Sequence, residues 1–167
     1  MLLDIRDLKI EARGEAGWTP ILHGVDLTVD KGEVVGLIGE SGAGKSTLGL
    51  AAMGYAAPGL RFAGGGVSFD GTDLLTLPDA RRADFRGRRI AYVAQSAAAS
   101  FNPAWRLIEQ FCEGPRIHHT ATRPEAEAFA HQLYAQMSLP EPDQFGLRFP
   151  HQVSGGQLQR AMVAMAM

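Results

Sequence analysis

The sequence has a single cysteine, no long apolar run and no excess of positive charge. Cys112 has no second cysteine with which to form an internal disulfide, so a reducing compartment is expected. The formal net charge of −2 is unlike the strongly basic surface of a nucleic-acid-binding protein, and we expect no nucleic-acid partner. No stretch reaches the roughly 20 apolar residues that cross a bilayer, and Asp4 and Asp7 stand where a secretory signal would be basic and then apolar. These absences predict a cytoplasmic location, in which any membrane contact is made through partner proteins.

The apolar pattern of the first part of the chain predicts several strands. Alternating apolar positions within residues 3–10 predict an opening strand, which residues 14–20 interrupt. Residues 25–29 alternate as a half-exposed strand does. Residues 34–38 are apolar or glycine throughout and predict a strand that is buried on both faces. Two later runs also predict strands, residues 67–69 and 90–94.

Helical patterns dominate the remainder. Residues 46–57 have helical composition and end before a Pro-Gly pair. From Ala104 the chain is again helical, and Thr122 with Glu125 has the spacing of a capping box. An apolar stripe at helical spacing follows and is expected to face the core: Ala126, Phe129, Ala130, Leu133, Tyr134 and Met137.

A glycine-rich segment after the predicted strand 34–38 matches the pattern G-x-x-x-x-G-K-[ST]. Its residues, called the phosphate loop below, are Gly39, Glu40, Ser41, Gly42, Ala43, Gly44, Lys45, Ser46 and Thr47. Glycines let consecutive backbone N–H groups turn towards phosphate oxygens, and the N-terminus of the following helix adds further donors. We expect Lys45 to reach the β- and γ-phosphates of ATP and the Ser46 hydroxyl to ligate Mg²⁺. The alternative is a chance glycine-rich turn, and the loop alone leaves kinases, GTPases, helicases and transport ATPases open.

A second motif lies far along the chain, within residues 153–160. Ser154, Gly155, Gly156 and Gln157 lead into an apolar helical pattern, so they offer a hydroxyl and free N–H groups at a helix N-terminus. Such a place can bind an anion. The alternative is a helix N-cap without a ligand.

Together, the two motifs resemble those of the ABC ATPases, and the resemblance runs over almost the whole chain. In that family the second motif closes over the γ-phosphate held by the phosphate loop of the opposite subunit, and Val153 stands where leucine is usual. Residues 39–42, 100–103 and 150–152 are similar to those of the oligopeptide, dipeptide and nickel importers. Residues 96–99 depart from that branch, which usually has an acid and a proline there, and this leaves the transported solute open.

The resemblance also implies roles for two single residues. Gln95 follows the predicted strand 90–94 and would contact Mg²⁺ or the attacking water and sense the membrane subunits. Trp18 precedes the phosphate loop at about the distance where these ATPases stack an aromatic ring on adenine. The alternatives are an ordinary polar residue at a strand end and an exposed tryptophan in a loop.

The fold that the resemblance implies is α/β: a P-loop NTPase core with an N-terminal antiparallel β portion and a helical subdomain, ABC ATPase-like but incomplete. Residues 1–103 would form the core, residues 104–149 the helical subdomain, and residues 150–167 the second motif and the start of its helix. The chain ends within an apolar helical pattern, so we expect a cut before the family's Asp, Glu and His, which position Mg²⁺ and the attacking water. The parent protein is then expected to hydrolyse ATP, and this chain to bind it and hydrolyse it poorly or not at all.

The implied assembly is an importer that uses ATP and Mg²⁺. Its partners would be transmembrane permease subunits, a second ATPase subunit in a head-to-tail homo- or heterodimer and, indirectly, a solute-binding protein. The subunit would lie on the inner face of the cell membrane, attached through the permease.

Three other functions stay open on the sequence. A small-molecule kinase could use arginines of residues 81–89 as a lid, although this leaves the second motif unexplained. An ABC ATPase of DNA repair or chromosome maintenance would usually show long insertions, zinc clusters or coiled coils, and none is visible. A truncated, non-enzymatic module could bind nucleotide or interfere with dimerisation.

Overall fold

The computed structural model describes all residues, 1–167, which form two compact units, Met1–Arg86 and Gly87–Met167. The first unit contains an antiparallel sheet and the second is helical, so the α/β prediction is confirmed. The finer division into residues 1–103, 104–149 and 150–167 stays a prediction.

Four antiparallel strands form the sheet of the first unit, in the order β2-β1-β3-β4. They are β1 Leu3–Gly14, β2 Gly17–Val29, β3 Leu60–Phe69 and β4 Thr72–Asp73. The central strand β1 places Ile5 opposite Leu27 of β2 and opposite Val67 of β3. The strands predicted within residues 3–10, 25–29 and 67–69 are therefore confirmed.

A β-bulge in β1 explains why its apolar residues alternate only in part. The register shifts near Asp7, which has a φ of 45° and whose backbone N–H donates to Oδ1 of Asp26 at 2.8 Å. The bulge lets Ile5 and Leu8, three positions apart, both be fully buried. Gly65 of β3 lies against the bulge with a φ of 83°, and a Cβ there would be 2.3 Å from the Asp7 carbonyl oxygen. Glycine is therefore required at this position.

The predicted break at residues 14–20 is confirmed at its start, where β1 ends in a turn at Glu15 and Ala16, but it is wrong from Gly17 on, where the next strand already begins. Strand β1 continues to Gly14 and β2 begins at Gly17. Pro20 lies inside β2, opposite Glu11. Strand β2 is an edge strand, where proline is tolerated because the missing N–H need not serve a ladder bond.

Two apolar segments that were predicted as strands form none. Residues 34–38 pair with no strand of the sheet, and Val34 and Ile38 are 94% and 96% exposed. Residues 90–94 form no strand either. An apolar run favours extended backbone, but a strand also requires a neighbour that accepts and donates its backbone hydrogen bonds. Residues 34–38 have no such neighbour, and in residues 90–94 only Ile90 forms a β-bridge, with its carbonyl accepting from the Gly87 N–H at 2.9 Å. Neither segment therefore extends into a strand.

Two short helices complete the first unit, α1 Lys45–Ala51 and α2 Asp79–Ala83, with a 3-10 turn at Leu74–Thr76. Helix α1 buries Leu48 and Ala51. It ends well before residue 57, contrary to the prediction, because Gly54 has a φ of 63° and its N–H closes the last turn on the Ala51 carbonyl at 2.8 Å.

Short helices surround two longer ones in the second unit. They are α3 Ala97–Ser100, α4 Leu107–Phe111, α5 Glu113–Ile117, α6 Arg123–Gln136, α7 Pro142–Phe145 and α8 Gly155–Ala166, with a 3-10 turn at Pro150–Gln152. The core centres on Tyr134, whose ring meets those of Phe111 and Phe145 edge-on at 5.8 and 5.2 Å. Helix α8 adds Leu158, Ala161, Met162 and Ala164 to this core.

Helix α6 begins as the sequence predicts, since the Thr122 N–H donates to Oε2 of Glu125 at 2.8 Å in a capping box. Its apolar stripe is buried at Ala126, Ala130, Leu133 and Tyr134. The stripe prediction is wrong for Phe129, which lies at the margin of the stripe and is 48% exposed. At 14 residues α6 is the longest helix, and no helix combines the length and apolar composition needed to cross a bilayer.

Candidate functional site

The phosphate loop curls around the side chain of Lys45. Its Nζ donates to the carbonyl oxygens of Gly39 at 2.8 Å and of Glu40 at 2.6 Å. An ammonium group has three donors, so one N–H of Lys45 remains. The loop carbonyls are thereby drawn towards Lys45.

Most backbone N–H groups of the loop have no acceptor within the protein. The Ala43 N–H donates to the Glu40 carbonyl at 3.2 Å, whereas the other N–H groups of residues 41–47 donate to no protein group. Unpaired donors in consecutive residues at the start of a helix are what a phosphate group accepts from. The loop and Lys45 therefore fit the phosphates of a nucleoside triphosphate. The exposed Ser46 offers a hydroxyl oxygen to a cation.

Gly44 attaches the loop to the sheet. It has a φ of 83°, and a Cβ at this position would lie 2.6 Å from Cδ2 of Leu22 and 3.8 Å from Cγ2 of Ile21. Both contacts are residues of β2. The close approach that glycine permits fixes the base of the phosphate loop against this strand.

Trp18 lies on the same strand β2, as the second residue after the hairpin turn, and not in a loop as the alternative assumed. The side chain is 40% exposed. The guanidinium carbon of Arg61 lies 4.2 Å from the centre of the indole ring. The role of Trp18 in stacking on adenine stays a prediction.

Gln95 lies in the second unit, exposed, between two anchored neighbours. The Ala94 N–H donates to Sδ of Met162 at 3.2 Å, and the Ala94 carbonyl accepts from Nε2 of Gln159 at 3.3 Å. On the other side, Oγ of Ser96 caps helix α3. The backbone on both sides of Gln95 is therefore fixed while its side chain remains in solvent.

The second motif forms the N-terminus of α8. Oγ of Ser154 accepts from the Gln157 N–H at 3.3 Å, and Oε1 of Gln157 accepts from the Ser154 N–H at 2.9 Å. This reciprocal capping box is the arrangement that the N-cap alternative predicts. Gly155 and Gly156 are exposed. Anion binding by these four residues stays a prediction.

Helix α8 positions both predicted elements of the second unit. The motif residues 154–157 include its first turn, and Gln159 and Met162 of the same helix hold Ala94 beside Gln95. In the first unit, strand β2 connects Trp18 with the base of the phosphate loop. The structure thus connects the predicted site residues in two groups: Trp18 with the phosphate loop in the first unit, and Gln95 with the second motif in the second unit.

Several polar contacts near these residues were not predicted from the sequence. Glu11 and Arg61 pair beside Trp18, and this pairing depends on a strand register that the sequence does not specify. Before the second motif, the Arg106 guanidinium lies 5.2 Å from the Phe149 ring, which stacks on His151 at 5.6 Å. This stack follows no periodic sequence pattern and needed the structure.

A cavity of about 310 Å³ in the second unit has no catalytic character. Its lining includes Glu109, whose pKa is lowered by a hydrogen bond from Arg123, and Cys112, whose thiol pKa is raised by burial. A buried thiol with a raised pKa is a poor nucleophile. Across residues 1–167, no group of three or more His, Cys, Asp or Glu side chains is placed to hold a metal ion.

Comparisons with known proteins agree on one family. The profile of the family described as ABC transporter matches residues 22–167. The chain is 36% identical, over its whole length, to a probable peptide ABC transporter ATP-binding protein, y4tR, of Sinorhizobium fredii. It is 32% identical, also over its whole length, to the oligopeptide transport ATP-binding protein OppD of Salmonella typhimurium. A metal-staphylopine import system ATP-binding protein of Staphylococcus aureus is 35% identical over 90% of the chain and 56% of its own length.

These relatives are longer than the chain. It spans about half the length of the curated relatives that it matches, 50% for both y4tR and OppD. Among solved structures, a dimer of the ATP-binding cassette MJ0796 with ADP and phosphate gives a TM-score of 0.85 at 23% identity. That match covers 99% of this chain and 69% of the other, and it establishes the fold.

Proposed function

Because this chain belongs to the ABC transporter family, we propose that it is the nucleotide-binding part of the ATP-binding subunit of an importer. The whole protein would couple ATP hydrolysis in a head-to-tail dimer to the import of peptides, nickel or a similar small solute. The relatives named for peptide, oligopeptide and metal-staphylopine import support this range of solutes.

The observation that carries the proposal is the unpaired backbone of the phosphate loop. Its N–H groups within residues 41–47 are left without protein acceptors, while Lys45 lies against the carbonyls of Gly39 and Glu40. Phosphoryl groups require donors of this kind, because several negative oxygens must be stabilised together. The first N–H groups of any helix are unpaired; here they continue the unpaired N–H groups of Ser41 and Gly42 and stand beside the Lys45 ammonium.

Different groups of the loop would bind the phosphates and the metal ion. The backbone N–H groups would bind the phosphates, Lys45 would contact the β- and γ-phosphates, and the Ser46 hydroxyl would ligate Mg²⁺. When bound, Mg²⁺ supplies positive charge beside the phosphates. Gln95 is proposed as the residue that contacts Mg²⁺ or the attacking water, and its fixed neighbours would limit its positions.

Trp18 is proposed to stack on the adenine ring. The loop contacts β2 at Ile21 and Leu22, three and four residues beyond Trp18. A strand rises about 3.3 Å per residue, so the indole lies on the order of 10 Å along the strand from that contact. This separation suits a nucleotide whose phosphates occupy the loop and whose base reaches the tryptophan.

Residues Ser154, Gly155, Gly156 and Gln157 are proposed to face the γ-phosphate of a second subunit. Their N–H groups stand at the start of the 12-residue helix α8, whose dipole favours an anion there. The proposed partners are a second ATPase subunit, homo- or heterodimeric, transmembrane permease subunits and, indirectly, a solute-binding protein. These partners would place the subunit on the cytoplasmic face of the cell membrane.

A calorimetric titration with Mg-ATP tests the proposal. The chain is expected to bind saturably, and Lys45→Ala is expected to weaken binding by roughly tenfold or more, since charged hydrogen bonds contribute about 1.5–3 kcal/mol. Lys31→Ala is the matched control, because Lys31 lies in the same unit, is exposed, and is remote in sequence from the loop's lysine. Equal binding by the chain and Lys45→Ala would contradict the assignment of the phosphate loop.

A further inference from the structure

Arg61 is held in two ways at once beside Trp18. Its Nε and Nη2 both donate to Oε2 of Glu11, at 2.9 and 2.7 Å. Its guanidinium carbon lies 4.2 Å from the centre of the Trp18 ring. A cation over an indole face is attracted by the negative π-cloud, and the carboxylate fixes the guanidinium in this orientation.

The three side chains come from three neighbouring strands. Glu11 of β1 lies opposite Arg61 of β3, and Arg13 of β1 lies opposite Trp18 of β2. Side chains two positions apart on a strand point to the same face, so Glu11 lies on the face that carries Arg13 and Trp18. The backbone ladders therefore set the separation of the three groups, and no loop has to be ordered to form the cluster.

We propose that Arg61 is a positioning residue for base recognition, and that Glu11 in turn positions Arg61. This inference rests on the proposed function, because it requires Trp18 to stack on the adenine of a nucleotide held by the phosphate loop. A guanidinium over one indole face restricts the rotamers of Trp18, and the side chain, 40% exposed, still presents surface to a base. A ring ordered before binding loses less conformational freedom when the base stacks on it.

The nucleotide base and the phosphates can be tested separately. Mg-ATP and inorganic tripolyphosphate are titrated against the full 167-residue chain, and the ratio of their affinities measures the contribution of nucleoside recognition. Trp105→Phe serves as the background, because it leaves Trp18 as the single tryptophan whose fluorescence reports on stacking. Urea unfolding of each variant checks that the sheet remains intact.

The following variants distinguish a positioning role of Arg61 from a general effect of its positive charge on ATP affinity. Trp18→Ala is expected to lower ATP affinity about 5- to 100-fold and to leave tripolyphosphate binding unchanged, as for other base–aromatic contacts. Arg61→Ala is expected to lower ATP affinity about two- to fivefold and to reduce the quenching of Trp18 by ATP. Arg61→Lys, which keeps a cation over the ring, is expected to restore part of both signals, and Glu11→Gln to weaken both.

Arg13→Ala is the charge-matched control. Arg13 is exposed and lies opposite Trp18 in the ladder, but it makes no ion pair or ring contact. It should leave the affinity ratio and the quenching unchanged. A Trp18→Ala effect with no effect of Arg61→Ala, or equal effects of Arg61→Ala and Arg13→Ala, would overturn the inference while leaving the proposed function standing. A chain that binds neither ATP nor tripolyphosphate would contradict the proposed function and the inference with it.

Discussion

Strand β1 and the apolar segment 34–38 belong to the same unit, yet they differ completely in exposure. Ile5 in β1 is fully buried, whereas Ile38 is 96% exposed. Strand β1 has a hydrogen-bonded neighbour on each side, and the segment has none. Apolar side chains alone therefore do not determine burial here; the availability of a backbone partner does. The segment leads directly into the phosphate loop, so the least supported backbone of this unit adjoins its candidate site.

The largest expected effect comes from making the same substitution in both regions. Ile5→Ala should reduce the free energy of unfolding by about 2–5 kcal/mol, because it leaves a cavity among buried side chains. Ile38→Ala should change it by less than about 0.5 kcal/mol, because the side chain has little packing to lose. Urea unfolding of the two variants measures both values. Similar losses at the two positions would show that the segment is buried in solution and would break the comparison.

A second contrast concerns two glycines with nearly equal φ. Gly65 in β3 has a φ of 83° and Gly42 in the phosphate loop has a φ of 86°, but a Cβ on Gly65 would meet the Asp7 carbonyl and one on Gly42 would meet nothing within 4 Å. Both substitutions to alanine force a left-handed residue, which costs about 1–2 kcal/mol. Gly65→Ala should cost about 1–3 kcal/mol more because of the clash.

The measurement is again urea unfolding, with Gly42→Ala as the control for conformation alone. If the two variants are equally destabilised, the close approach of β3 to the bulge in β1 is not present in solution.

The third prediction concerns the helical unit, where a small effect of pH on the free energy of unfolding is expected. Arg123 lowers the pKa of Glu109 through a hydrogen bond. A lowered folded-state pKa stabilises the fold above the unfolded pKa of about 4.3, and this contribution is lost as pH falls through the folded value. Both side chains are partly exposed, so the loss should be within about 1 kcal/mol.

Unfolding midpoints between neutral and acidic pH, compared for the wild-type chain and Glu109→Gln, measure this contribution. The variant should lose less stability in acid. An unchanged acid dependence would assign the pH effect to other carboxyl groups.

Much of the fold follows from local pattern. The capping box at Thr122 and the alternation in β1 were predicted because each depends on residues close in sequence. The failure at residues 34–38 and 90–94 has a different cause, because a strand needs a partner that sequence-local pattern does not specify. The early start of β2 at Gly17 was also not predicted, because Pro20 indicated a turn. Proline is accepted within β2 because β2 is an edge strand of the sheet.

The candidate site was predicted only as far as its motifs reach. The phosphate loop is defined by spacing, and Lys45 turns onto its own loop as short-range geometry requires. The Arg61–Trp18 contact joins residues of different strands, so it depends on a register that no motif records. The hydrogen bonds between Ala94, beside Gln95, and residues of α8 likewise join parts of the chain that are distant in sequence.

Amide hydrogen exchange with and without Mg-ATP tests most directly whether the phosphate loop is the nucleotide site. In the free chain, amides of residues 34–47 should exchange fast and those of β1 slowly, because only β1 is paired on both sides. Mg-ATP should slow exchange within residues 41–47 in the wild-type chain and much less in Lys45→Ala. Protection that appears elsewhere, or equally in both proteins, would contradict the account.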